Sequence, residues 1–510
     1  MSTKFIVSAG LLLCGWLLLT ALALPLGITI AKSWGVSRSI LAGINIAGCI
    51  AVSFLCVLVG IRNIRTAVLL LIASIPILNF VSGRLYFVAD PFIIQPLTLT
   101  IWVLFFLSIP TWKYIVFRSY DIVWFLAIIV TFIMSLWVAP NILHAIRATI
   151  SFGIEPFVAY IVFRCAFSRD QTSPPIRFFA TAIAGMMMAH LFLIGIDLFK
   201  IGGIKAFFVS RAMQIDKRMI WSGGLNEPSQ SATIILLLIF PIIGYIVENP
   251  SAKKYKWLVA VMVLILFASL TRSIIVVFFI FIVIFVWCLK RYNIKLPVRT
   301  FIPLLAIGLS VTIGTMPFIL QRFTGTAAST WGVESNDRIF NGIPLEYGIL
   351  HYLLSITAHF NLFLSHWLTG IGAANLFEYR SHFDDWGLNS DPTQLSGPLF
   401  AHIDNLVALG VIGFLLYYGR TFFLFIKLSR FIKKAPISIK PGMIGLFVAF
   451  LFPLLLWNWA PGARPAYNPD TLGSDLMGSN LHAIIGSFLF AFAASYIEYV
   501  KSKVLNPNHP

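Results

Sequence analysis

Residues 257–289 read WLVAVMVLILFASLTRSIIVVFFIFIVIFVWCL, two apolar runs with little between them but Thr271-Arg272-Ser273. Each run approaches the length that carries a helix across a hydrocarbon layer about 30 Å thick. Lipid offers the backbone no hydrogen-bond partners, so a spanning segment must be a helix or part of a closed barrel, and runs this apolar on every face are helical. The stretch therefore reads as a transmembrane helical hairpin with one arginine in its turn.

Outward from this hairpin the same pattern fills the chain. Apolar runs fall near 5–31, 39–61, 66–81, 93–112, 120–138, 146–163, 178–198, 232–248, 257–271, 274–289, 301–320, 403–424, 441–459 and 482–499, giving about fourteen expected spans. Hydrophobic residues make up 59% of the 510 residues and charged residues 11%, and the mean hydropathy is +0.90. No soluble core needs so much apolar sequence. The first run follows Lys4 and is too long for a signal-peptide core, so it reads as an uncleaved span. The expected fold is an all-α polytopic membrane protein forming one integral domain over residues 1–510.

A formal net charge of +18 raises the possibility of nucleic-acid binding, which the distribution of charge rejects. With the N-terminus inside, the cytosolic segments hold Arg62 and Arg65, Lys113 and Arg118, Arg164, Arg169 and Arg177, and Lys253, Lys254 and Lys256. The same side then takes Lys290, Arg291, Lys295 and Arg299, the run from Lys427 to Lys440, and Lys501 and Lys503. This is the positive-inside pattern, and it places both termini in the cytosol. The five cysteines lie in spans or at their cytosolic ends, so neither a disulfide framework nor a thiolate metal site is expected. The chain has no glycine-rich phosphate loop, which argues against a nucleotide-driven pump.

Polar sequence concentrates in two external segments. The first, 199–231, carries Lys200, Lys205, Arg211, Lys217 and Arg218, against the topological bias. It reads either as an amphipathic helix on the outer leaflet or as a cationic cradle for a diphosphate head group, because guanidinium forks match phosphate oxygens. The second, 321–402, is a large loop before a late helix, holding Glu334, Asp337, Arg338, Glu346, Glu378, Arg380, Asp384, Asp385 and Asp391. His402 stands at its end, at the external mouth of the span beginning near Ile403. Its ring can exchange protons near neutrality, and Gly410 and Gly413 would let another helix approach. Arg272 sits in a tight turn at the same face, where it either snorkels or meets an anion. Arg338 could be half of a surface ion pair, and Arg147 an interfacial anchor. His359, His366 and His382 share the loop without metal-ligand spacing.

Four segments, in order, resemble the bacterial O-antigen polymerases and O-antigen ligases. They are Gly223-Gly224-Leu225-Asn226-Glu227-Pro228 with Ser231-Ala232, then Leu270-Thr271-Arg272-Ser273, then Asn336-Asp337-Arg338-Ile339-Phe340 followed by His366 to Phe377, and finally His402-Ile403-Asp404-Asn405 with Gly410 and Gly413. The likeness spans roughly residues 220 to 420. Three departures stand out: Ile403 and Asp404 separate His402 from Asn405, Arg272 precedes Ser273 rather than following it, and Phe340 stands where the family has tryptophan. They leave open whether His402 or Asp404/Asn405 holds the functional position, and they favour polymerase over ligase.

The resemblance implies a fold like that of C-type glycosyltransferases and a metal-independent transfer of glycan from undecaprenyl diphosphate to an acceptor sugar, with no cofactor. Arg272 and Arg338 would stabilise the departing diphosphate and His402 would orient or deprotonate the acceptor hydroxyl. Arg211, Arg218, Asn405 and Arg147 would bind substrate. The implied setting is the bacterial inner membrane with the site facing the periplasm; the implied partners are a chain-length regulator and a flippase. Two alternatives stand beside polymerisation: ligation of the glycan to lipid A core or protein, and secondary transport or flipping of a lipid-linked glycan. Transport would need charges buried mid-span and discontinuous helices in repeated halves.

Overall fold

The computed structural model describes residues 18–29, 39–82, 87–89, 92–94, 96–168, 174–198, 228–249, 254–268, 272–295, 339–340, 343–344, 349–373, 375–379, 381–382, 401–455 and 475–505. The architecture is all-α. In chain order the helices are α1 (Leu18–Thr29), α2 (Ser39–Arg62), α3 (Ile64–Ser82), α4 (Pro96–Ser108), α5 (Ser119–Val138), α6 (Ile142–Thr149), α7 (Glu155–Ser168) and α8 (Pro175–Leu198). They continue as α9 (Pro228–Glu248), α10 (Lys254–Ala268), α11 (Arg272–Arg291), α12 (Ile349–Ser365), α13 (Ala401–Lys434), α14 (Lys440–Leu455) and α15 (Asp475–Leu505). Two minimal antiparallel strand pairs, Phe87–Ala89 with Phe92–Ile94 and Ile339–Phe340 with Ile343–Pro344, complete the regular structure.

Among the described residues, 8 helical segments are long and apolar enough to cross a membrane, and five shorter apolar helices stand at further expected spans. The expected span at 301–320 lies outside the described residues. The expected loop 321–402 contains a 17-residue helix, α12, which packs against α13.

The core is aromatic where helices meet. Phe179 of α8 stacks on Phe492 of α15 at 4.2 Å between ring centroids, and Phe488 meets Phe163 and Phe167 of α7. Elsewhere small residues let backbones touch. A Cβ at Gly244 of α9 would lie 2.3 Å from the Pro441 carbonyl oxygen, and one at Gly445 of α14 would lie 2.2 Å from that of Phe240. Without a hydrophobic driving force between helices in lipid, such contact supplies the packing energy.

The two ends of the bundle differ. At one end lie Arg118, Arg164, Lys427 and Glu498. Arg164 is fully buried, donating to Tyr160 Oη at 2.9 Å and to Glu498 Oε1 at 3.0 Å. Arg118 also reaches Glu498, at 3.6 Å, and Tyr160 donates to Asp121. Lys427 lies over the Tyr120 ring. This network joins α5, α7, α13 and α15. Exposed Tyr114, Trp257 and Trp287 mark the same end, while Trp137 and Trp367 mark the other. Two aromatic belts of this kind are what membrane interfaces select.

Candidate functional site

The late span is not one rod. Helical structure runs from Ala401 to Lys434, but Gly410 breaks it with φ 60° and ψ −174°. A straight helix would hold residues 402 and 418 about 24 Å apart. Instead the His402 and Tyr418 rings lie 5.0 Å apart, with Phe414 on the same side. The short arm 401–409 therefore folds back along the long arm 411–434. His402 sits beside Tyr418, in the first third of the long arm, where a continuous helix would have separated the two.

A break inside an apolar bundle leaves helix-end backbone groups to be satisfied. The segment His366–Gly372 satisfies them. Ile371 N–H donates to Val407 O at 3.0 Å, Gly372 N–H to Ala408 O at 3.0 Å, and Val411 N–H to Trp367 O at 2.8 Å. Two glycines permit this weld. Gly370 has φ +72°, and a Cβ there would lie 2.3 Å from Ala408 O; one at Gly410 would lie 2.4 Å from Leu368 O. Gly410 thus serves both as a break and as a point of close backbone approach, to the segment His366–Gly372 rather than to another helix, whereas Gly413 faces α5 at Thr131.

The short arm presents its polar residues to different neighbours. Asp404 is buried and pairs with His359 Nε2 of α12 at 3.5 Å, the two side chains being 5% and 1% exposed. Asn405 is buried as well. His402 is half-buried, with Tyr418 Oη 3.0 Å from Nε2 and 3.1 Å from Nδ1. Tyr418 in turn donates to the Leu454 carbonyl at the end of α14. Of the two positions left open by the sequence, His402 is half-buried, whereas Asp404 and Asn405 are buried.

Beside the weld, the following chain seals onto α5 and α6. Ala373 N–H donates to Ser135 Oγ at 3.1 Å, and Asn141 N–H to Asn375 Oδ1 at 2.8 Å. Glu378 Oε1 accepts from Asn141 Nδ2 at 3.4 Å and faces His144 Nδ1 at 3.7 Å. Arg147 lies on α6 three residues after His144, so it belongs to this group.

The remaining expected residues distribute as follows. Arg272 is the first residue of α11; its side chain, with Arg211, Arg218 and Arg338, lies outside the described residues. Sequence reading passed over Tyr418 and the His359–Asp404 pair, because no periodicity joins residues sixteen apart in a span that reads as continuous. It also passed over two polar groups inside the bundle. Glu155, at the end of the single π-turn Ile150–Ile154, accepts from Thr98 Oγ1 at 3.3 Å. Arg420, 2% exposed, lies over Trp124 at 4.2 Å from the ring centroid, with Tyr417 and Phe490 beyond. Among the described residues no group of three His, Cys, Asp or Glu side chains is arranged around a common point for a metal.

No protein-family model matches the chain, and no curated protein matches it in sequence.

Proposed function

We propose that the protein polymerises a bacterial surface polysaccharide, transferring a glycan from undecaprenyl diphosphate to an acceptor sugar of another lipid-linked repeat unit. The observation that carries this reading is the folded-back arm at Gly410. It sets a half-buried histidine beside Tyr418 and bonds the segment His366–Gly372 to the chain around the break. A reaction between a lipid-borne donor and a hydrophilic acceptor needs a partly dry meeting point. His402 would take the acceptor proton, and Arg272 and Arg338 would receive the leaving diphosphate. The basic end, with Arg118, Arg164 and Lys427, faces the cytosol by the positive-inside rule, so the weld faces the periplasm of a bacterial inner membrane. Chain-length regulator and flippase partners belong to this reading.

Purified protein given a lipid diphosphate-linked repeat unit without metal should form a glycan ladder. The ladder should disappear on Arg272→Ala, Arg338→Ala and His402→Ala. Ladders unchanged in all three variants would remove the proposal. A ligase differs by its acceptor: its loss leaves long lipid-linked polymer, whereas loss of a polymerase collapses polymer length.

A second reading, transport of a lipid-linked glycan, is favoured by Arg420 and Glu155, buried within spanning helices, together with the broken helix. Protein-dependent movement of the lipid-linked unit across liposomes, without ladder formation, would select it.

A further inference from the structure

The seam between α5 and α13 ends, at the basic end of the bundle, in the ammonium of Lys427. Its Nζ donates to Ser119 Oγ at 3.4 Å and lies 4.5 Å from the centroid of the Tyr120 ring. Among the described residues no carboxylate comes within ion-pair distance of it. The two that act on it from farther off are engaged elsewhere. Glu498 is shared by Arg118 and Arg164, and Asp121 accepts from Tyr160 and from the Arg118 backbone N–H. Arg118 and Lys501 add like charge at the same place. An ammonium has three hydrogens to donate, and Ser119 takes one. The others face outward beside two further cations, which is a place for an anion.

Deeper in the membrane the same seam is apolar and shallowly notched. Gly419 lies eight residues before Lys427, about 12 Å along α13. A Cβ on it would lie 3.5 Å from Val123 Cγ1 and 3.9 Å from Phe423 Cε2, ordinary contacts with side chains only. Gly419 and Val123 are half-buried and Phe423 is exposed. The missing side chain therefore leaves a notch on the lipid-facing side, directly below the cations.

We propose that this seam binds an anionic phospholipid, its phosphate on Lys427 and Ser119 beside Arg118 and one acyl chain over Gly419 and Phe423. The inference goes beyond glycan transfer and stands whether or not that reading holds. A free phosphate would meet the cations and leave the notch unused, whereas an amphiphile fills both. By the proposed orientation the site lies in the cytosolic leaflet, the one that carries anionic lipid. Each Lys or Arg near the surface strengthens the hold on such a headgroup by about fivefold.

The test is native mass spectrometry of the full-length protein with phosphatidylglycerol against phosphatidylcholine of the same acyl chains. Wild type should retain phosphatidylglycerol preferentially. Lys427→Gln should weaken that retention about fivefold. Gly419→Leu, which fills the notch without touching a charge, should also weaken it. Lys290→Gln, an exposed cation in the last turn of α11, should behave as wild type. Equal retention in wild type and Lys427→Gln overturns the proposal, and so does an equal loss in Lys290→Gln, which marks general surface charge. Retention indifferent to Gly419→Leu but abolished by inorganic phosphate assigns the cations to free phosphate and overturns the lipid. Ladder formation plays no part in these readouts, so their failure and that of the proposed function are distinguishable.

Discussion

Replacing Gly410 by alanine tests the folded-back arm directly. At φ 60° and ψ −174° the backbone lies in a region essentially reserved for glycine. Holding alanine there costs roughly 1–3 kcal/mol. The new Cβ would also fall 2.4 Å from Leu368 O and 2.5 Å from Gly370 N, both backbone atoms of the weld. Relieving such overlap by backbone shifts costs about 1–3 kcal/mol more. The sum, about 2–6 kcal/mol, is large against ordinary protein stability. The chain has an escape, since an alanine between Leu409 and Val411 can continue a regular helix. Straightening would free the carbonyls of Val407 and Ala408 and strip their partners from the Ile371 and Gly372 amides. Hydrogen–deuterium exchange of the peptide covering 366–373 should therefore rise sharply in Gly410→Ala, alongside a lower melting temperature. Gly370→Ala should reproduce the effect, and the double variant should cost less than the sum because both act on one contact. Wild-type melting with unchanged exchange over 366–373 would refute the break and the placement of His402 that depends on it.

Glu498→Leu leaves the buried Arg164 guanidinium without its carboxylate and should lower stability by about 3–5 kcal/mol, whereas Arg164→Met with Glu498→Leu should recover much of the loss in a thermal melt. Arg420→Lys gives up planar stacking on Trp124 for a compact ammonium; a loss of about 1–2 kcal/mol with altered tryptophan emission is expected, and equal stability would deny the stacking any weight. Gly244→Leu must separate α9 from the Pro441 backbone and should abolish well-folded protein in fluorescence-detected size exclusion, while Gly419→Ala, with ordinary contacts only, should behave as wild type. Single cysteines at Ser119 and Asn141 should react with a membrane-impermeant maleimide from opposite sides of right-side-out vesicles, Asn141 from outside; labelling from the same side would contradict the proposed topology.

The apolar runs of the sequence carried the helices well. The hairpin at 257–289 forms α10 and α11, and eleven of the other expected runs coincide with described apolar helices, because in lipid a long apolar segment has almost no alternative to a helix. The residues His366-Trp367-Leu368-Thr369-Gly370-Ile371-Gly372 were legible as a feature of the chain but not as a plug for a helix break. Gly410 looked like a small residue for close helix approach, since glycine serves both purposes and its φ is not written in the sequence. His402 was picked out by type and position, yet its neighbours Tyr418 and Leu454 could not be, as they come from a chain reversal and from a different helix.

By itself, then, the sequence determined that this chain is built for a bilayer and roughly where its spanning helices lie, and its asymmetry of lysine and arginine supplies the proposed orientation. These follow from transfer energies, which depend on residue type and run length. Only the tertiary structure decided that the late span doubles back, that Asp404 is spent on His359, and that a tyrosine sixteen residues downstream comes to touch His402. Those outcomes depend on one left-handed glycine and on backbone groups finding partners from a distant segment, a matter of three-dimensional closure that local pattern does not encode.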